Sequence, residues 1–477
     1  MQTFGHWIGG KSIAAERHIP VINPSNGHAF AQLARGGAAE IEAAVRAAQA
    51  ALDGPWGRLS ATERGRLLTR LATLIERDAE ALAQAESRDV GKPIRQARAD
   101  AAACARYFEF YGSSADKMHG DTIPYADGMT VMSIWEPHGV TGHIVPWNYP
   151  MQIVGRSVGA ALAMGNACVL KPAEDASLSS LMLAELAAEA GFPEGVWNVV
   201  TGLGEEAGAA LTAHSGISHV SFTGSPEVGT LVQAAAAKHT IPVTLELGGK
   251  SPQIVFQDAD LDTAAGTVMN GIIQNAGQTC SAGSRVLIQA PVFDRLVADL
   301  AGRFGRLEAG PAERDLDLGP VVNADQQKRV NGFLDFARND GLNIAGQGRI
   351  ASNAPEGGYY VQPTLLADVA PNHKLAQEEV FGPVLTAIRF QDEAEALAIA
   401  NGTQFGLVAG VWTADIGRAM RLSRGIKAGQ VFVNNYGAGG GVELPFGGVK
   451  RSGHGREKGF AALAGFAALK TIAIRHG

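Results

Sequence analysis

From about residue 130 to residue 247, short apolar runs alternate with segments whose apolar positions recur at helical spacing. TVMSIWEP and VTGHIVP read as strands, SVGAALAMG as a helix, NACVLKP as a strand and SLSSLMLAELAAEAG as a helix. WNVVTG, EEAGAALTAH, HVSFTG, PEVGTLVQAAAAK and IPVTLEL continue the alternation. Short apolar strands separated by helices predict a doubly wound parallel sheet, which binds ligands beyond the carboxyl ends of its strands. A second alternating region follows Gly248. SPQIVF, RVLIQA, VLTAIRF and GLVAGVWT read as its strands, LDTAAGTVMNGIIQNAG, FDRLVADLAGRFG, ADQQKRVNGFLDFARND and EAEALAIANG as its helices. Upstream, residues 38–53, 60–89 and 94–119 have helical periodicity, and Ser60 followed by Glu63 is a capping-box signature. The fold class is α/β, with two α/β domains.

Length agrees with that division, since 477 residues exceed one core. Lys and Arg total 40 against 47 Asp and Glu, a net charge of −7 with no basic block, which argues against nucleic acid or an anionic membrane as partner. No run of about 18 uncharged apolar residues suggests a membrane span, and the N-terminus MQTFGHWIGGKS does not read as a signal peptide. Three scattered cysteines, Cys104, Cys168 and Cys280, suit neither a disulfide framework nor a zinc site, so a reducing cytoplasm is expected and no metal is.

Five stretches carry candidate chemistry. In HVSFTGSPEVG, a strand turns at Gly224-Ser225 into a helix, which fits a phosphate-binding turn and equally an ordinary β–α turn. In CVLKPAED, Lys171 and Glu174 follow a strand, where they could hold ribose hydroxyls or form a solvated surface pair. Glu246 ends the apolar strand of LELGGKSP, and a carboxylate in such a setting is a candidate base or a turn cap. Asn148 in IVPWNYPMQIVGR is a candidate oxyanion donor or an amide satisfying its own turn. Cys280, in NAGQTCSAGSR, is a nucleophile or a small residue in a tight corner; Cys168 and Cys104 read as packing.

Together, PWN at 146–148, KPAE at 171–174, FTGS at 222–225, LELGGK at 245–250, GQTC at 277–280, EEVFGP at 378–383 and PFGGVKRSG at 445–453 resemble the NAD(P)-dependent aldehyde dehydrogenase superfamily. The resemblance runs over nearly the whole chain. It implies Cys280 as nucleophile, Glu246 as general base, and Asn148 with the Cys280 N–H as oxyanion hole. It places Trp147, Lys171, Glu174, Gly224 and Ser225 along the adenosine and pyrophosphate, and Glu379 and Phe381 at the nicotinamide ribose and ring. Glu174 would repel a 2′-phosphate, which favours NAD, while Lys171 leaves NADP open. The implied domains are a Rossmann-type cofactor domain (1–118 and 138–247), a catalytic domain (248–447) and a small β oligomerisation element (119–137 and 462–477), whose exposed edges would make a homodimer or homotetramer.

Many relatives have Trp-Lys where this chain has Arg156-Ser157, so a relay pairing that Lys with the Glu matched by Glu457 does not carry over. Arg156 could meet a substrate carboxylate, face an aromatic aldehyde, or form a structural salt bridge. Tyr149 and Phe446 are candidate pocket walls, and the glycine-rich loop 434–445, with Tyr436, Val442 and Leu444, suggests a roomy entrance. The implied reaction oxidises a small-molecule aldehyde to the acid through a cysteine thiohemiacetal and thioester. A CoA-acylating semialdehyde dehydrogenase and a non-redox cysteine thioesterase or hydrolase are the alternatives.

Overall fold

A computed structural model describes residues 1–437 and 441–477. Its first large sheet runs, edge to edge, through Gly453–His454, Val243–Glu246, His219–Thr223, Val140–Val145, Ala167–Pro172, Trp197–Val199, His6–Ile8 and Lys11–Ile13. The five strands from Val243–Glu246 to Trp197–Val199 are parallel. Val140–Val145, first of the five in the chain, lies between its successor Ala167–Pro172 and the later His219–Thr223. Winding therefore reverses at Val140–Val145, and a crevice opens at such a point beyond the strand ends. Ala167–Pro172 is buried at all six positions. Cover on both faces explains why it reads as a continuous apolar run rather than an alternating one.

The second sheet orders Asn343–Gln347, Thr364–Ala367, Val384–Phe390, Arg285–Gln289, Pro252–Val255, Val408–Trp412 and Gln430–Val433. All are parallel except Asn343–Gln347. Each large sheet has its own apolar core. A third sheet pairs Met129–Pro137 with Thr122–Ile123 on one side and, along its whole length, with Ala467–Arg475 on the other.

Most predicted elements are present, with informative differences. The periodic segment 60–89 is two helices, Ala61–Arg77 and Ala79–Val90, broken at Asp78. The Ser60 cap is made in both directions: its Oγ accepts the Glu63 N–H at 3.3 Å, and the Glu63 carboxylate accepts the Ser60 N–H at 2.8 Å. EEAGAALTAH forms a wide turn at Gly204–Gly208 and only a short helix, Ala209–Thr212. The strands Gln2–Phe4, His18–Asn23 and His28–Ala34 pair in a small sheet that hydrophobic pattern does not announce, because many of their side chains remain exposed.

Candidate active site

The helix Leu261–Ile273 runs into the cysteine loop through three left-handed residues, Asn275 (φ 48°), Ala276 (φ 53°) and Gly277 (φ 77°). Two of these are not glycine, at a cost of about 1–3 kcal/mol each. The loop is held in this shape from outside. The Gln278 amide donates to the Asn275 carbonyl at 2.9 Å and accepts the Val322 N–H at 2.9 Å. Tyr149 and Thr279 share a hydroxyl–hydroxyl bond of 2.9 Å. A Cβ on Gly249, just past the Glu246 strand, would sit 2.3 Å from the Cys280 carbonyl oxygen. The glycine pair of LELGGK thus lets the end of one strand and the cysteine loop touch backbone to backbone.

Asn148 does not serve its own turn. Its Nδ2 donates to the Gln278 carbonyl at 2.9 Å, and its own carbonyl accepts the Asn275 amide at 2.9 Å. Among the described residues, one amide hydrogen remains for another acceptor. Cys280 is half-buried beside Leu407, Val408 and Phe446. Burial pushes its thiol up to about 12, against the pull of the Arg156 cation. Glu246 is 1% exposed, and neither carboxylate oxygen has a hydrogen-bond partner among the described residues. Burial first, and the charge of Glu457 second, raise its carboxyl far above the ordinary range. Cys168, by contrast, is fully buried in its strand beside Thr141 and lines none of this space.

Cys280 and Asn148 open onto a cavity of about 440 Å³. Three helices each offer it one stripe at helical spacing. Gln96, Asp100 and Ala103 come from Ile94–Ser114, Gln152 and Arg156 from Pro150–Ala163, and Thr267, Asn270 and Gln274 from or just beyond Leu261–Ile273. Tyr149, Tyr436, Phe446 and Lys458 complete the wall. Arg156 is an ion-pair partner of buried Glu457, and its guanidinium lies 5.0 Å from the centre of the Phe446 ring. It is therefore both a salt-bridged residue and a wall of the cavity. Tyr436 donates to the Ser281 carbonyl at 2.6 Å, and Val442 is buried. Residues 438–440, the centre of the glycine-rich loop expected to widen the entrance, lie outside the described residues.

Of the other predicted residues, Trp147, Lys171, Glu174, Gly224 and Ser225 lie at or just beyond strand ends of the first sheet, and Glu379 and Phe381 lie just before Val384–Phe390 of the second. The Lys171 ammonium donates to Glu174 at 2.8 Å, and with Lys171 2% exposed this is no solvated surface pair. Burial works to raise the Glu174 carboxyl, but Lys171 prevails and holds it below the ordinary range. Gly224 donates its N–H to the Glu246 carbonyl at 3.0 Å, and the Ser225 hydroxyl caps the helix Pro226–Ala237 by accepting from Val228 at 3.3 Å. Trp147 and Phe381 meet edge to face, 5.4 Å between ring centres. Glu379 accepts the Gly249 N–H at 2.8 Å, and burial lifts its carboxyl to about 7.

The aldehyde dehydrogenase family model matches residues 7–472. The chain belongs to the aldehyde dehydrogenase family. It is 44% identical over 459 residues to an aldehyde dehydrogenase of Emericella nidulans, covering 96% of this chain and 92% of that one. It superposes with a TM-score of 0.99 on the crystal structure of a protein assigned as an aldehyde dehydrogenase from Burkholderia cenocepacia, at 64% identity over 99% of this chain and 100% of the other. An aldehyde dehydrogenase from Bacillus cereus, solved as its NAD+ complex, matches with a TM-score of 0.96 at 38% identity, over 100% and 97% of the two chains.

This aldehyde dehydrogenase holds wall residues that its motifs do not mark: Gln96, Asp100, Gln152 and Lys458. Their signal was present for Ile94–Ser114, where Gln96 and Asp100 interrupt an Ala-rich face at a spacing of one turn. No periodic signal marks Lys458, which lies in an irregular segment before a short helix.

Proposed function

We propose that the enzyme oxidises an aldehyde to its carboxylic acid with NAD, using Cys280 as nucleophile. The observation that carries this is that Cys280 and Asn148 line one cavity while buried, unpartnered Glu246, at a strand end of the first sheet, lies near enough for its charge to act on the Cys280 thiol. The crevice suits a dinucleotide: a capped helix N-terminus follows Ser225 for phosphate, and Glu174, steadied by Lys171, offers a carboxylate for ribose hydroxyls. Trp147 and Gly224 would flank these, with Glu379 and Phe381 toward the nicotinamide end. The 2′-phosphate of NADP would meet Glu174 with like charge, so NAD is the preferred form.

Each chain residue has a defined task. The Cys280 sulfur attacks the aldehyde carbon as thiolate, its proton passing toward Glu246. The oxyanion of the thiohemiacetal takes hydrogen bonds from the Asn148 Nδ2 and the Cys280 N–H, groups fixed before the reaction. When bound, NAD supplies the hydride acceptor for this carbon. The acyl group left on sulfur is a thioester. Glu246 first releases the cysteine proton to solvent. Then, a strong base once ionised because of its burial, it takes a proton from water as that water opens the thioester, and passes it to the departing sulfur. The acid leaves and the thiol is restored.

Residues 1–118 and 138–247 would form the cofactor domain and 248–447 the catalytic domain. Segments 119–137 and 462–477 would join copies into a homodimer or homotetramer, in the cytoplasm. The edge of Ala467–Arg475 away from Met129–Pro137 supports such pairing, with Leu469 and Ile474 exposed along it.

The test is NADH absorbance with an aldehyde panel, with and without CoA. Cys280→Ala should lose activity by roughly 10⁴-fold or more, as removal of a nucleophile does. Cys168→Ala should retain it. Full activity in Cys280→Ala would refute the assignment, and a rate dependent on CoA would favour acyl transfer to that thiol.

A further inference from the structure

A complete ion cluster is buried beside the cysteine loop, and the chemistry above makes no use of it. Lys92 lies in the turn between the helices Ala79–Val90 and Ile94–Ser114 and is 0% exposed. Its Nζ donates to Glu86 at 2.9 Å and is an ion-pair partner of Asp100. Both carboxylates also hold the start of the helix Pro150–Ala163. Glu86 accepts the Met151 N–H at 3.3 Å, and Asp100 accepts the Gln152 amide at 2.6 Å. A further side of the ammonium meets the Tyr149 ring, 4.1 Å from its centre. Burial works against the Lys92 charge, but Asp100 and Glu86 prevail and hold its proton more firmly than usual.

Stability alone does not account for this cluster. The same three helices bury Leu82, Ala101, Cys104 and Met151 in one apolar core. Apolar side chains of similar volume in place of a buried ion cluster are often neutral or stabilising. What the charges add is direction. Tyr149 is held at both ends, its ring by Lys92 and its hydroxyl by Thr279 at 2.9 Å. Its neighbour Asn148 bonds Gln278 and Asn275 of the cysteine loop, each at 2.9 Å. One turn before Asp100 on the same helix, Gln96 accepts the Asn275 N–H at 2.9 Å. From Lys92, one path thus runs through Tyr149 to Thr279, and another through Asp100 and its helix to Asn275. The two reach the loop on either side of Gly277.

We propose that Lys92 is a positioning residue, which fixes the Asn148–Tyr149 segment against the cysteine loop so that oxyanion donor and nucleophile meet the aldehyde in one geometry. Lys92 does not line the cavity, and it acts through Tyr149 and Asn148. The proposal rests on the aldehyde-oxidising reading above.

The experiment is a double-mutant cycle with Asn148→Ala, read in steady-state kinetics on one aldehyde. Lys92→Met, close to lysine in length, should lower kcat by roughly 10- to 100-fold, as a small misplacement of reacting groups does, with KM changed by less than about threefold. In the Asn148→Ala background the same change should cost no more than about threefold, because the donor it positions is gone. Tyr149→Leu leaves both ion pairs in place and removes the ring that Lys92 meets. It should also lower kcat and lose its effect without Asn148, and it carries the test where Lys92→Met does not fold. A side chain that only supported the fold would lower both backgrounds alike. Losses that multiply with that of Asn148→Ala, an unchanged kcat in either variant, or a loss confined to KM would each overturn the proposal. A wild type inactive on every aldehyde, or a wild-type kcat in Asn148→Ala, would instead overturn the reading beneath it, and the proposal with it.

Discussion

The crevice proposed for the cofactor and the cavity proposed for the substrate meet at Cys280, but they are assembled differently. At the adenosine and phosphate end of the crevice, which is the end that contrasts with the cavity, each residue lies within a few positions of a strand end: Trp147 after Val140–Val145, Lys171 and Glu174 around the end of Ala167–Pro172, Ser225 after His219–Thr223. The ion pair at this end joins residues three apart. Only the nicotinamide end, with Glu379 and Phe381, is drawn from before Val384–Phe390. In the cavity, the wall is drawn from three helix faces and several loops, and the pair Arg156–Glu457 joins distant parts of the chain. The adenosine and phosphate end of the crevice is local in sequence and the cavity is not. A dinucleotide offers the same chemical groups to every enzyme that binds it, and short loops on a regular sheet suffice to grip it. A substrate pocket has to fit one molecule, and residues on helix faces can be exchanged without moving the sheet.

The sharpest way to break this comparison is at Asn148, which stands where the two regions join. Asn148→Ala should lower kcat by roughly 10²–10³-fold with a smaller change in KM, as loss of one oxyanion donor does. Steady-state kinetics on one aldehyde decides it; a near wild-type kcat would remove Asn148 from the reaction. The next effect concerns the crevice alone. Glu174→Gln should reduce the preference for NAD over NADP by roughly tenfold or more, about one charge-assisted hydrogen bond, while the order of preference among aldehydes stays the same. A changed aldehyde order with an unchanged cofactor ratio would mean that the two regions are not separable.

The smallest effect is on stability. The Glu379 carboxyl is raised from 4.5 to about 7, so the folded state favours its protonated form. That contribution is complete below the unfolded value and is lost as pH rises through about 7. Without cofactor, Glu379→Gln should therefore gain on the wild type in thermal unfolding between about pH 5 and about pH 8, by a few degrees. A difference that stays constant with pH would show that Glu379 ionises in the folded protein as it does in the unfolded one.

The same contrast explains what was legible in the sequence. The alternation of strands and helices is a buried parallel sheet's own signature, and it exposed both large sheets. Cys280, Glu246 and Asn148 stood in short motifs at strand ends or in loops, where glycine and proline punctuate the chain. The N-terminal strands escaped because they bury too little to leave a period. Arg156 was visible as a departure, but its partner Glu457 could be known only from the fold, since no local rule joins a helix residue to a distant loop. Lys458 was invisible for a related reason. Its side chain is directed by a backbone angle, and sequence carries no mark of a lysine held where glycine is the usual occupant.

The three helical stripes have a consequence for how such an enzyme changes over time. Cys280 and Asn148 are held by close backbone contacts and hydrogen bonds, such as the 2.3 Å that forbids a side chain at Gly249. The stripe residues project from the surfaces of otherwise complete helices. A gene copy can therefore acquire a new diet one helix position at a time, keeping its chemistry intact at every step.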